Sequence, residues 1–267
     1  MSCTMMTTTA DLPLDVLERI VQHPDLAPGD VMSAGQVSRR WLSVCRPAWR
    51  RKRAAEIQES WSRRDHLPSA PEAACAAALA RLGHLRPEVL TAKAAAVLQQ
   101  LEEPSLAELT SAAALAAHSP HTEVDRLNLQ DLNISAVPAA DLGVLCSKLR
   151  VRECTVEEVI GDLSPIFSNI TSDQLGIRSS ALTPADTQQL VAGMVRGVRS
   201  VMLGELGTVT LHMETLAQYD GRGQCEEVLV LGSDMKMQYG GQVKAWMQRI
   251  DWKIDYEDED CIMIKRK

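Results

Sequence analysis

Residues 12–50 place two or three apolar helix faces within one short segment, and this feature constrains the fold more than any other in the chain. Pro13 suits the first turn of a helix, and apolar side chains follow it at helical spacing. Asp30 is predicted to cap a second helix, and Trp41 lies on a further apolar stripe. A unit of about forty residues cannot bury all of these side chains against itself. We therefore expect it to bury the remainder against a partner.

The order of these residues resembles an F-box. That family begins with Leu-Pro and an apolar helix, continues with an acidic residue before a second apolar helix, and then has Val-Ser-Arg-Arg-Trp and a late Trp. The matching residues here are Leu12 and Pro13, then Val16, Leu17 and Ile20, then Asp30 and Val31, then Val37 to Trp41, and Trp49. The chain departs from the family at Val21, Gln22 and His23, where an aromatic residue is usual, and in a longer segment from Ile20 to Asp30.

The resemblance implies that this segment docks a Skp-type adaptor and, through the adaptor, a cullin. The residues that it assigns to the adaptor site are Leu12, Pro13, Leu14, Val16, Leu17, Ile20, Val31, Val37, Trp41 and Trp49. The alternative is an ordinary helical hairpin with a chance Trp.

Composition excludes several other classes of protein. The net charge of −7 gives no general reason to expect nucleic-acid binding. No apolar run is long enough to span a membrane, and the N-terminus lacks the regions of a signal peptide. The seven cysteines are scattered and never form a Cys-x-x-Cys pair. We therefore expect reduced thiols, no metal site, no cofactor, and a cytoplasmic or nuclear location.

Basic side chains concentrate between Arg39 and Arg64. One interpretation is a nucleic-acid or localisation patch. The other is the solvated face of the last F-box helix, continuing as far as Trp61. Glu56 and Glu59 interrupt the basic run, which favours the second interpretation.

An Ala- and Leu-rich segment follows and predicts three helices, near 72–82, 87–102 and 105–118. Ser105 and Glu108 have the spacing of a capping box at the start of the third helix. The predicted domains are the F-box-like helices at 11–53, a helical linker or cap at 54–119, and a repeat region at 120–267.

The repeat region contains short apolar-x-apolar segments at intervals of roughly 22 to 27 residues. They are Leu127–Leu129, Leu149–Val151, Leu175–Ile177, Val201–Leu203, Val228–Val230 and Trp252–Ile254. Amphipathic helical stretches separate them at 139–145, 184–195, 213–219 and 242–249. The pattern resembles a degenerate leucine-rich repeat of the ribonuclease-inhibitor-like class.

The predicted fold class is therefore α/β, with a small F-box helical domain followed by a short leucine-rich-repeat-like solenoid of parallel strands. The alternative is a generic α/β domain with a parallel sheet. The pattern of residues 252–266 predicts a hairpin with an acidic turn, which would cap the last sheet edge.

The repeat register predicts which side chains lie on the concave face. Among these, Arg150, Arg152 and Arg178 are predicted to form one positive cluster on adjacent strands. Such a cluster would bind an acidic or phosphorylated protein substrate through bidentate contacts. The alternative is that these arginines only pair with neighbours such as Glu153 and Glu205.

No combination of residues suggests catalysis, so we do not expect an enzyme. A small-molecule hydrolase would require a deep polar pocket. The favoured function is the substrate-recognition subunit of a Skp–cullin–F-box ubiquitin ligase, in which the repeat region captures a protein substrate. The alternative is a non-enzymatic leucine-rich-repeat scaffold or an innate-immune-type interaction module without a ligase role.

Overall fold

A computed structural model describes residues 12–63, 66–178, 182–204, 219–231, 245, 250, 252–257 and 261–267. The α-helices in these ranges are α1 (Leu14–Gln22), α2 (Pro28–Gly35), α3 (Arg39–Trp61), α4 (Ala70–Arg81), α5 (Pro87–Gln99), α6 (Leu106–Ala116), α7 (Ala139–Lys148), α8 (Ser164–Asn169) and α9 (Pro184–Arg196). The strands are β1 (Thr122–Gln130), β2 (Leu149–Glu157), β3 (Thr171–Arg178), β4 (Val198–Gly204), β5 (Glu227–Leu231), β6 (Trp252–Glu257) and β7 (Cys261–Arg266).

The chain divides into two compact units. The first contains the described residues as far as His66, together with Ala74–Leu90. The second contains Leu67–Ala73 and the described residues from Thr91 to Lys267. The domain boundaries expected from the sequence stay predictions.

Helices α1 to α3 pack around one apolar core in the first unit. The core residues are Leu17, Val21, Val31, Trp41, Val44, Cys45 and Ala48. Ser38 caps α3, because its hydroxyl accepts a hydrogen bond from the Trp41 N–H at 3.2 Å. Helix α3 then continues through Pro47 to Trp61, as the sequence predicted.

Asp30 is not the N-cap of the second helix, and that prediction was wrong. Helix α2 begins at Pro28, so Asp30 lies in its first turn. Its carboxylate reaches back and accepts a hydrogen bond from the Ala27 N–H at 3.0 Å. The sequence signal was misplaced because an acidic residue satisfies free N–H groups both at the N-cap and from the third helical position.

The three helices predicted in the Ala-rich segment are α4, α5 and α6. Ser105 and Glu108 form the expected capping box at the start of α6. The Ser105 hydroxyl accepts from the Glu108 N–H at 3.3 Å, and the Glu108 carboxylate accepts from the Ser105 N–H at 2.8 Å. This reciprocal pair fixes the first turn of α6.

The second unit is built on one sheet with the strand order β1-β2-β3-β4-β5-β7-β6. Strands β1 to β5 are parallel, and β7 and β6 are added antiparallel. Helices α6, α7, α8 and α9 pack side by side, with α7 against β2 and α9 against β4. The buried side chains of the strands therefore lie between the sheet and these helices, and the outward side chains of the described strands are exposed or half-buried on the other face, which we call the open face.

The parallel strands repeat one burial pattern. Its members are Val124, Leu127 and Leu129 in β1, Val151, Cys154 and Val156 in β2, Ser172, Leu175 and Ile177 in β3, and Val198, Val201 and Leu203 in β4. Two consecutive outward residues separate the first buried side chain from the second, so each strand breaks its alternation at the same place. Neighbouring repeats therefore stack in register.

The described part of the chain does not show the predicted solenoid. The sheet is not curled, and its two edge strands are β1 and β6. The predicted hairpin is present as β6 and β7, but β7 pairs with β5 and places β6 at the edge. Trp252–Ile254 is consequently not the next parallel repeat. The helices predicted at 213–219 and 242–249 fall almost entirely outside the described residues.

Candidate functional site

The ten residues assigned to adaptor docking occupy different environments. Leu17, Val31 and Trp41 belong to the core of the first unit. Leu12, Val16 and Trp49 are half-buried, and Pro13 is exposed. Leu14, Ile20 and Val37 are 50%, 40% and 66% exposed. Leu17, Val31 and Trp41 can therefore only hold the helices together, whereas Leu14, Ile20 and Val37 are open to contact with a partner.

The exposed side chains are displayed by the helices that the core residues position. Leu17 and Val21 are one turn apart on α1 and face the core, and Leu14 and Ile20 lie on either side of that stripe. Val37 lies in the turn between α2 and α3, where its N–H donates to the Ala34 carbonyl at 3.2 Å. Each exposed group is therefore attached to an ordered element.

Val21, Gln22 and His23 stand where the F-box family usually has an aromatic residue. Val21 is only 1% exposed, whereas Gln22 and His23 are exposed, so these positions lie partly in the core and partly at the surface. Trp41, which is 8% exposed, has an indole N–H that is buried without a hydrogen-bond partner.

Part of the basic charge on α3 is engaged by its own unit. The Arg53 guanidinium contacts the Glu56 carboxylate at 2.6 Å, and this hydrogen bond raises the pKa of Arg53. The Lys52 ammonium donates to the His23 carbonyl at 2.6 Å, which ties the end of α1 to α3.

The structure does not bring Arg150, Arg152 and Arg178 together, so the predicted cluster is wrong. Arg150 is paired with Thr171 at the start of β3, whereas Arg178 ends β3 and is paired with Glu157. The seven residue steps from Thr171 to Arg178 separate the two positions by roughly 23 Å along the strand. All three side chains are exposed, but they lie towards opposite ends of the sheet.

The error has a physical cause. Strand β2 contains two apolar-x-apolar segments, Leu149–Val151 and Cys154–Val156, and the sequence pattern alone selects neither. The hydrogen-bonded register pairs Leu127 with Cys154 and Leu129 with Val156. The second segment is therefore the true repeat, and the outward residues of β2 at that level are Glu153, Thr155 and Glu157.

Opposite charges alternate on the open face, and the sequence analysis did not identify this arrangement. The Arg199 guanidinium lies 3.9 Å from the Asp173 carboxylate and 3.6 Å from that of Glu226. Lys265 lies 3.3 Å from Glu227 and 3.0 Å from Asp255. Only the register of five strands places these residues side by side, so no local sequence signal could reveal them.

Arg150 and Arg152 line a cavity of about 430 Å³ together with three acidic residues, Glu123, Asp125 and Asp173. The acidic side chains outnumber the two arginines there. An anionic ligand would therefore meet offset charges instead of a positive site.

The cysteines in the described ranges are free thiols, in agreement with their scattered spacing. Burial raises the pKa of Cys146 and of Cys225 to about 12, and it raises the pKa of Cys154 as well. These groups remain protonated and pack as small apolar side chains. Within the described ranges, His, Cys, Asp and Glu form no group of three or more that could hold a metal ion.

No described helix combines the length and the apolar character needed to cross a membrane.

Comparison with known families identifies the N-terminal segment. Residues 9–54 match the F-box-like family. The match covers the segment that contains α1, α2 and most of α3. No curated protein and no solved structure shows significant similarity to the chain.

Proposed function

We propose that this protein is the substrate-recognition subunit of a Skp–cullin–F-box type ubiquitin ligase. The F-box-like match at residues 9–54 supports the proposal, and the exposed apolar side chains Leu14, Ile20 and Val37 carry it at the level of geometry. In this role the first unit docks a Skp-type adaptor and, through it, a cullin. The protein acts in the cytoplasm or nucleus, where free thiols remain reduced.

The exposed aliphatic groups support docking because a partner that covers them gains the free energy of removing apolar surface from water. Fully burying a Val, Leu or Ile side chain is worth about 1.5–3 kcal/mol relative to leaving it in water. Exposed apolar groups mark an interaction surface only where they form a patch, so the F-box-like match is what relates these three side chains to a partner. The buried residues Leu17, Val31 and Trp41 contribute by holding these groups in place.

The second unit captures a protein substrate in this proposal. We regard it as a degenerate leucine-rich-repeat region whose strands form an open sheet, and the recurring burial pattern of β1 to β4 supports that view. The protein then acts without catalytic groups of its own. It holds the substrate near the charged ubiquitin carrier and so raises the effective concentration of the reacting groups.

A quantitative binding assay with purified Skp-type adaptor tests the proposal. The variant Leu14→Asp with Val37→Asp puts charge on two exposed positions without touching the core. We expect it to weaken adaptor binding by about tenfold or more, because each aspartate makes no apolar contact with the adaptor and its charge loses hydration when the adaptor covers it. The milder double change Leu12→Ala with Pro13→Ala is expected to act in the same direction.

The matched control is Leu82→Asp, because Leu82 is 53% exposed and lies outside residues 9–54. It should bind the adaptor like the wild type. Absence of adaptor binding by the wild-type protein refutes the ligase role. Equal loss in the Leu82 control shows that added negative charge, and not the proposed surface, is responsible.

A further inference from the structure

Strands β1 and β2 each end in a turn, and the two turns have the same backbone conformation. Gln130 and Glu157 are their last residues, and each is followed by a non-glycine residue with a positive φ, Asp131 and Glu158, both at 52°. The Asp131 N–H donates to the Glu157 carbonyl at 3.1 Å, and the Glu158 N–H donates to the Arg178 carbonyl at 3.3 Å. The turn is thus hydrogen-bonded from each strand to the next.

Ile160 is held firmly just beyond the second turn. Its N–H donates to the Leu132 carbonyl at 2.8 Å, and its carbonyl accepts from the Ile134 N–H at 2.9 Å. Gly161 has a φ of 130°, and a Cβ there would lie 2.8 Å from Ile134 Cγ1, so the backbone packs closely at this point. The Ile160 side chain is nevertheless 66% exposed. A rigid backbone therefore presents a large aliphatic group to solvent.

The two turns line an open, shallow cavity of about 480 Å³. Its lining residues are Asp131, Leu132, Asn133, Glu158, Val159, Ile160 and Gly161. Leu132 and Val159 are 9% and 3% exposed and form an apolar floor. A volume of this size accommodates one or two side chains of a partner.

The charge at this cavity has one sign. Two carboxylates, of Asp131 and Glu158, lie at its rim, and no basic residue is among those that line it. The hydrogen bond with Asp131 and the negative charge of Asp131 raise the pKa of Glu158. The two carboxyl groups are thus close enough to interact, and the described residues that line the cavity include no cation.

We propose that this cavity is an interaction site for an extended protein segment that carries a basic side chain two residues from a large aliphatic one, so that both lie on the same face of the segment. The aliphatic group packs against Ile160 and Leu132, and the cation lies between the carboxylates of Asp131 and Glu158. Charge complementarity selects this occupant, because an acidic segment would meet two like charges beside the same apolar surface. The site needs no adaptor, and under the proposed ligase role it is a substrate contact.

A nuclear magnetic resonance titration of the full chain tests this inference. The probe is an acetylated, amidated peptide of sequence Gly-Ser-Leu-Ser-Arg-Ser-Gly, used up to about 1 mM, where weak contacts become measurable. We expect saturable amide shifts at 131–133 and 158–161. Peptides with Arg replaced by Glu, or with Leu replaced by Ala, should bind about tenfold more weakly, as expected for the loss of one well-placed contact.

Variants separate the two halves of the site. Ile160→Ser should weaken the peptide about tenfold, whereas Val195→Ser, at a position 42% exposed in α9, should leave binding unchanged. Asp131→Asn with Glu158→Gln should remove the preference for Arg over Glu while the fold is kept, because both residues are at the surface. Adaptor binding should be normal in every variant.

The inference is wrong if the shifts fall on the open sheet face, if the Glu peptide binds as well as the Arg peptide, or if Ile160→Ser binds like the wild type. Absence of shifts at 131–133 and 158–161 at the highest concentration also refutes it. Failure of the adaptor to bind, with peptide binding intact, refutes only the ligase role.

Discussion

The Arg266 guanidinium donates a hydrogen bond to the Cys225 carbonyl at 2.7 Å and so joins β7 to the segment that leads into β5. The same Nη2 group contacts the carbonyl oxygens of Gly221 and Gly223 at 3.1 and 3.0 Å. The guanidinium also lies 5.8 Å from the centre of the Trp252 ring. One cation thus contacts three backbone carbonyls of the segment before β5.

Replacing this arginine by lysine should destabilise the second unit although the charge is kept. Arg266→Lys removes the guanidinium that lies beside the Trp252 ring, and a lysine of different length and geometry is expected to lose some of the carbonyl contacts that Nη2 makes; hydrogen bonds to charged groups are worth about 1.5–3 kcal/mol each. We expect a loss of about 2 kcal/mol in the free energy of unfolding, measured by urea denaturation. The control Arg222→Ala, whose side chain is 90% exposed, should change it by less than about 0.5 kcal/mol. Equal effects of the two substitutions would contradict the anchoring role.

Asp186 links the starts of α8 and α9. Its carboxylate accepts from the Thr183 N–H at 2.9 Å, from the Thr183 hydroxyl at 2.6 Å, and from the Ser164 hydroxyl at 3.1 Å. Asp186 is fully buried, so Asp186→Ala leaves these donors without a partner. We expect a cost of about 2–3 kcal/mol in urea denaturation. Asp141→Ala, on the exposed first turn of α7, serves as the control and should cost clearly less.

Gly193 of α9 should resist replacement by alanine. Alanine is normally favoured over glycine in a helix by about 1 kcal/mol. A Cβ at position 193, however, would collide with the backbone carbonyl oxygen of Phe167. We expect Gly193→Ala to lower the thermal midpoint and the free energy of unfolding, by about 1–3 kcal/mol. Gly29→Ala in α2 meets nothing within 4 Å and should be neutral or stabilising. A stabilising Gly193→Ala would show that α8 and α9 can separate without cost.

The capping box of α6 should make stability depend on pH. Hydrogen bonds from the Ser105 hydroxyl and N–H lower the pKa of Glu108. A carboxyl whose folded pKa is lowered stabilises the fold above its ordinary pKa, near 4.3, and loses that contribution as pH falls through the folded value. Glu108→Gln should therefore cost about 0.3–1 kcal/mol at pH 7, where the charge favours the helix N-terminus.

The difference between Glu108→Gln and the wild type should begin to shrink as pH falls below about 4.3, and it should vanish only below the lowered folded pKa, where both side chains are neutral. Urea denaturation at a series of pH values measures it. If the difference in the free energy of unfolding stays constant from pH 7 down to acidic pH, the shape of the Glu108 side chain and not its charge stabilises the start of α6.

Features that depend on neighbouring residues were predictable. The bounds of α4, α5 and α6 follow from Ala and Leu content, from prolines and from the Ser105–Glu108 cap, all of which act within one or two turns. The hairpin of β6 and β7 follows from alternation around an acidic turn. The F-box-like segment was recognisable because its residues occur in a fixed order within about forty positions.

The candidate sites depended on contacts between distant residues. The sequence pattern fits both Leu149–Val151 and Cys154–Val156 as the repeat segment of β2. Choosing the first predicted that Arg178 lies near Arg152, whereas the sheet pairs Arg178 with Glu157. It assigned Leu17, Val31 and Trp41 to a docking surface, whereas packing places them in the core. The sequence did not indicate Ile160 as a site residue, because the hydrogen bonds with Leu132 and Ile134 that position it join residues far apart in the chain.

The sequence by itself determined the elements: the F-box-like helices, the capped helices after them, the recurring strands and the hairpin. Their signals are local, since helix spacing, strand alternation and caps act over a few residues. Only the tertiary structure decided the strand register, the open sheet, the order β5-β7-β6 and the pairing of Asp131 with Glu158. Those depend on hydrogen bonds between strands, and a shift of one residue changes which side chains face the core and which meet a partner.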